Sequence, residues 1–247
     1  MFRVIRGDVP FKINLNINDY VPTALVVGNE IFGGWCEDNK ITGEECNISI
    51  LVRGLLDVSL YFLKAIYRTG EVTDDYLISF TPEPSKDDLE FWHKMMREFN
   101  VELSEDVLAY YVSSLGFYYA RPIFLLRKPE SGDDYEVVMI FKSYGTEDCP
   151  KWIRKRKEGE IVKVTVKLKD FVTDVIQLAE EYLEILEERE KYLNRKILVN
   201  TKLSEELSPE EEIEYVEELK DGINFALFVL RELFRRIYIW KEESANK

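Results

Sequence analysis

Hydrophobic and polar positions along the chain change their period at one place more clearly than anywhere else. Between Gly159 and Glu190, Val162, Val164, Val166 and Leu168 alternate with Lys163, Thr165, Lys167 and Lys169, the period of a half-buried strand. From Asp170 onward Val172, Val175, Ala179, Tyr182 and Leu186 recur at helical spacing, with Glu180, Glu181, Glu184 and Glu187 turned away. The pattern predicts a strand running directly into a long helix. Gly43 to Tyr67 aligns with this stretch without a gap: Gly43 falls on Gly159, Ile48 on Val164, Arg53 on Lys169 and Leu55 on Phe171. From Cys46 the segment reads either as one helix from Ile48 to Arg68 or, as the alignment favours, as a strand over Glu45 to Leu51 and a helix from Gly54. Internal duplication of a strand-to-helix unit is one explanation of the pair; the other is that the same periods and caps recur at any such junction.

The remaining elements follow from local signals. Phe11, Ile13, Leu15 and Ile17 alternate with Lys12, Asn14, Asn16 and Asn18, a strand pattern. Gly28-Asn29 between Ala24–Val27 and Glu30–Phe32 predicts a two-residue hairpin, and Glu37 to Glu45 reads as a polar loop. Tyr76 to Phe80 reads as a short strand. Ser85 and Ser104, each followed by acids, predict helices to about Asn100 and to about Leu115. Ile123–Arg127 and Tyr135–Lys142 read as strands flanking a turn rich in Pro, Gly and Asp. A connection from Asn194 to Ser208 is expected to hold a short strand at Lys196–Val199. Ser208-Pro209-Glu210 then starts a last helix, weakened at Gly222, to about Trp240. The fold class expected is α+β: mostly antiparallel sheet covered by amphipathic helices, as a single domain over 1–247 or as two similar halves, 1–120 and 121–247.

Composition narrows the function classes. Hydrophobic residues make up 46% of the 247, enough for a substantial core, and the formal charge of −14 repels nucleic acid overall. Abundant Lys and Glu, with Gln177 the only glutamine and His93 the only histidine, resembles the composition of proteins from hot environments. Cys36, Cys46 and Cys149 are an odd set without a CxxC pair, so a disulfide framework is not expected and a reducing, cytoplasmic setting is. No apolar leader opens the chain and no apolar run is suited to span a bilayer, so no membrane association is expected.

Candidate chemistry is sparse. Lys151, Trp152, Arg154, Lys155, Arg156 and Lys157 form a basic stretch with an aromatic in it, suited to phosphates and a stacked base; the alternative is a solvated loop paired with nearby acids. Ser85 to Lys142 reads helix, helix, hairpin, the order of a winged helix, although the second helix carries no Lys or Arg. Tyr110, Tyr111, Tyr118 and Tyr119 suit an interface, or else the core and its margin. Asp74-Asp75, Asp87-Asp88 and Asp133-Asp134 suit a metal-dependent hydrolase only if they converge; helix first turns and turn tips explain each pair as well. No phosphate loop, nucleophile elbow or metal-ligand cluster is present in the sequence, so neither catalytic residues nor cofactor or metal are expected. The function expected is a non-catalytic protein that binds another macromolecule, with protein favoured as partner. Nucleic-acid binding through 151–157 or the winged-helix segment is the first alternative, and a metal-dependent hydrolase or nuclease the second.

Overall fold

A computed structural model describes residues 2–6, 20–69, 79, 83–128, 134–199 and 208–245. The strand expected at 11–18 lies outside these residues. So do the strand at 76–80, apart from Ser79, and most of the turn at 128–134. The elements run β1 (Phe2–Arg6), β2 (Tyr20–Val27), β3 (Glu30–Phe32), β4 (Gly34–Glu37), β5 (Lys40–Asn47), α1 (Ile48–Thr69), α2 (Lys86–Glu98), β6 (Val107–Val112), β7 (Ile123–Arg127), β8 (Glu136–Tyr144), β9 (Glu158–Lys167), α3 (Leu168–Val199) and α4 (Pro209–Ala245). The class is α+β, as expected, with two antiparallel sheets. One has the order β1-β2-β5-β4 with β3 also paired to β2; the other has the order β6-β7-β8-β9.

The hairpin at Gly28-Asn29 forms, with Gly28 at φ 64° and Val27 opposite Glu30. The expected polar loop at 37–45 is instead a second hairpin, β4 to β5. Its turn residues Asp38 and Asn39 lie at φ 50° and 60°, the left-handed pair that a two-residue turn of type I′ requires. Asp and Asn tolerate that region better than other non-glycine residues. Gly43 is fixed by close approach: a Cβ there would lie 2.1 Å from the Thr23 carbonyl carbon on β2.

The first strand-to-helix junction comes earlier than expected. The strand ends at Asn47 and α1 begins at Ile48, so the helix does not wait for Gly54. Asn47 causes this: its Oδ1 accepts from the Ser49 N–H at 3.0 Å and the Ile50 N–H at 3.3 Å, an N-cap. The helix has a wide apolar face, with Leu51, Val52, Leu55, Leu56, Val58 and Leu63 buried, and a narrow stripe of Ile50, Arg53, Asp57, Tyr61 and Arg68 that is less covered. The second junction falls at Lys167/Leu168, two residues before the Asp170 at which the pattern places it. In the ungapped alignment Ile48, the first residue of α1, falls on Val164, which is still within β9.

The segment opened by Ser104 is a strand, β6, not a helix, and this removes the winged-helix order. The strand is covered on both faces: Ala109 joins the main core, and Val112 packs with α2 on the other side. Two-sided burial erases the alternation that marks a strand, and the register shift between Val107 and Ala109 disturbs it further. The connection expected to hold a strand at 196–199 is instead the last turn of α3. Ser85 and Ser208 do cap their helices, each in a capping box, with Asp88 and Glu211.

The second sheet is the middle layer. Phe124, Leu126, Val137, Met139 and Phe141 face α1, α3 and α4; Ile123, Leu125, Val138 and Ile140 face Trp92, Met95 and Met96 of α2 and Phe99 just after it. Phe32 of β3 meets Phe117 at 4.8 Å and Phe141 at 5.3 Å between ring centres, joining the two sheets. The exposed side of the edge strand β9 carries Lys163 and Lys167, which discourage pairing with another chain. Among the described residues no helix is long and apolar enough to cross a membrane.

Candidate binding cleft

The basic stretch lies in the loop between β8 and β9, and most of its cations are already engaged. Arg156 grips Glu30 with Nη2 at 2.7 Å and Nε at 3.1 Å, and reaches Glu160 with Nη1 at 2.6 Å. Arg154 lies 3.5 Å from the same Glu30. Lys155 donates to the carbonyls of Glu147 and Cys149 at 2.5 Å. Lys151, Trp152 and Lys157 are exposed. The loop is anchored further by a disulfide between Cys149 and Cys36 on β4, which corrects the expectation of no disulfide. That expectation was the cysteine argument for a reducing compartment, and the bridge removes it; intracellular proteins of hyperthermophiles also carry such bonds.

The four tyrosines separate into two pairs. Tyr111 is half-buried against Trp92 and Tyr61, and the Tyr110 hydroxyl lies 2.9 Å from His93 Nε2. Tyr118 and Tyr119 stand out from the surface, 62% and 75% exposed, stacked edge to face at 4.5 Å. They follow Phe117, which bridges to Cys46 of β5.

Beside this exposed pair is a cleft of about 340 Å³ that no local sequence signal marks. Its floor is apolar, with Phe32, Met95 and Phe99, and its charged groups gather where α2, the 119–121 segment and the end of β8 meet. Helical spacing places Phe91, Lys94 and Glu98 along one stripe of α2. Strand alternation continues the α2-facing row Val138, Ile140 to Lys142, which emerges past the end of α2. Arg121 completes the wall. Lys142 donates to Glu98 at 2.7 Å and lies 5.0 Å from the centre of the Phe99 ring; Arg121 lies 5.2 Å from that of Phe91. Lys142 holds the Glu98 carboxyl below its ordinary range, chiefly through the hydrogen bond, and Lys94 and Arg121 act in the same direction. Three cations therefore surround one carboxylate on a chain of formal charge −14.

The buried Glu44 fixes the wall. It accepts from the N–H groups of Tyr119 and Ala120, the latter at 3.1 Å, and from the Tyr144 hydroxyl. Burial, then the bond to Glu44, pushes the Tyr144 phenol well up, so it stays protonated as donor. One side chain of β5 thus ties the segment carrying Arg121 to β8, which carries Lys142.

Among the described residues Asp87, Asp88 and Asp134 do not converge. Asp88 serves the Ser85 capping box, and Asp134 accepts from the Lys169 N–H at 3.1 Å and the Tyr238 hydroxyl at 2.7 Å. Asp74, Asp75 and Asp133 lie outside the described residues. Among the described residues no three His, Cys, Asp or Glu side chains are grouped to hold a metal ion.

A second cleft, also about 340 Å³, opens between α1 and α4 where Gly222 leaves α4 without a side chain. Asp57 lines it with Arg53, and burial pushes its carboxyl up to about 6 against the lowering effect of Arg53. An unfolded aspartate titrates near pH ~3.9, so between there and about 6 the folded chain holds the extra proton. The contribution of this group is therefore highest below that range, falls as pH rises through it and is flat above. Asp57→Asn is expected to stabilise the protein at pH 7 by roughly 1–3 kcal/mol and to flatten this part of the profile. Denaturant titrations of both proteins at pH 4 and pH 7 measure it; an equal effect at both pH values refutes it.

Compared with protein-family models, curated proteins and solved structures, the chain matches none of them.

Proposed function

We propose that this protein is a non-catalytic binding protein whose partner is another protein, engaged by the Lys94–Arg121–Lys142 cleft and the Tyr118–Tyr119 rim. The observation that carries the reading is the juxtaposition of three cations around one carboxylate with two exposed stacked tyrosines on an otherwise acidic chain. Tyrosine and arginine are the residue types on which protein interfaces concentrate their energy, and local positive charge attracts an acidic segment. The ion pairs of Arg154 and Arg156 leave the 151–157 loop less suited to phosphate, which weighs against the nucleic-acid alternative.

Fluorescence anisotropy with labelled Asp- and Glu-rich peptides across a salt series tests this reading. Binding at low salt is expected, with roughly tenfold loss on Arg121→Ala or on Tyr118→Ala with Tyr119→Ala. Lys151→Ala with Lys157→Ala is the control and should leave binding unchanged. No binding at low salt, or equal losses in the control, overturns the proposal.

A further inference from the structure

Resting on that reading, we infer that the group held in the cleft is a phosphate monoester carried by the partner protein. Charge matching is the first ground. Lys142 is engaged by Glu98 at 2.7 Å, whereas Lys94 and Arg121 form no ion pair among the described residues. Two uncommitted cations exceed what a single carboxylate ligand balances. They match a phosphate monoester, which carries about −1.5 to −2 at pH 7.

Geometry is the second ground. Arg121 rests its guanidinium on Phe91, 5.2 Å from the ring centre, so one face is covered while its edge donors remain. Edge donors in a fixed plane suit two oxygens of one phosphate. The segment bearing Arg121 is held by Glu44 through the Tyr119 and Ala120 N–H groups, so those donors are spent and recognition falls to side chains.

The carrier follows from what surrounds the cleft. A nucleic acid brings a phosphate at every step and must lay them along a chain of formal charge −14. One phosphorylated side chain brings its charge to one place, and Tyr118 and Tyr119 beside it offer the flat amphipathic surface that protein partners use. Glu98 then acts as an internal competitor for the Lys142 ammonium, and the ligand phosphate draws that cation away from it.

The test compares a short degenerate peptide library with central phosphoserine against the same library with Ser or Glu there. Inorganic phosphate and a single-stranded oligonucleotide serve as competitors. Phosphorylated peptides should bind at least roughly tenfold tighter than either unphosphorylated set. Arg121→Ala should abolish the difference, and inorganic phosphate should compete. Glu98→Gln should tighten binding roughly two- to threefold, a gain that a misfolded variant does not give. Equal affinity for phosphoserine and Glu peptides, with both still lost on Arg121→Ala, overturns the inference and leaves the protein-binding reading standing. Arg121-dependent binding of the oligonucleotide without phosphopeptide binding overturns both, as does the absence of any cleft-dependent binding.

Discussion

Cys36→Ser is expected to lower the free energy of unfolding by about 4–5 kcal/mol. The Cys36–Cys149 bridge spans 113 residues of sequence, and closing so long a loop removes much of the unfolded chain's freedom. Its Cα–Cα separation of 5.0 Å lies within the ordinary range for a disulfide. Cys149 is buried with Ala24, Val26, Ile31 and Ile153, so the bond also pins the β8–β9 loop onto the first sheet. Its loss should loosen the contact of Arg154 and Arg156 with Glu30. The third cysteine does not compete: burial pushes the Cys46 thiol far up, leaving almost no thiolate for exchange. In a chain of this size the change corresponds to a fall of about 10–15 °C in melting temperature. Thermal unfolding of the parent and of Cys36→Ser, each with and without reductant, decides it. A parent whose melting is indifferent to reductant shows that the bond contributes nothing.

Glu212→Ala is expected to cost about 3–5 kcal/mol, while Arg189→Met combined with Glu212→Leu should cost little or nothing. Arg189 of α3 and Glu212 of α4 are only 8% and 5% exposed, and the guanidinium donates to Glu212 Oε1 from Nε at 2.8 Å and from Nη2 at 2.5 Å. Bringing both ions out of water costs nearly as much as their attraction returns, so the pair adds little over an apolar packing of similar volume. Removing one member leaves a buried charge with its main partner gone, and that asymmetry sets the magnitude. Urea titrations of the single and double variants measure the difference. Equal losses in both would show that the side chains matter for volume and not for charge.

Legibility differed from element to element for physical reasons. The β9–α3 junction was readable because one side of it meets solvent: Lys163 and Lys167 mark the outer face of the strand, and the glutamates mark the outer face of the helix. The capping boxes at Ser85 and Ser208 were readable because a cap is a local bond. β6 was misread because α1 and α2 cover both its faces, and the start of α1 was misread because Ile48-Ser49-Ile50 mimics the strand alternation of Val164-Thr165-Val166. The hairpin at Asp38-Asn39 carried a usable signal in two residues that tolerate left-handed backbone, but it was passed over as polar loop. The Cys36–Cys149 bond left no local signal, because its two cysteines lie 113 residues apart.

Of the candidate residues, Tyr118 and Tyr119 were named from sequence, whereas Lys94, Arg121, Lys142 and Glu98 were not. Each of those four is an ordinary surface charge within its own element. They become a site only because α2 lies across one face of the second sheet and Glu44 draws the 119–121 segment against β8.

By itself the sequence determined the class, the hairpin at Gly28, the capped starts of α2 and α4, and the acidic charge, all of which depend on neighbours a few residues apart. Tertiary structure alone decided that the Ser104 segment pairs as a strand, that Cys36 meets Cys149, and that three cations gather about Glu98. These depend on contacts between residues distant along the chain, which sheet pairing and two-sided burial bring together and no local period records.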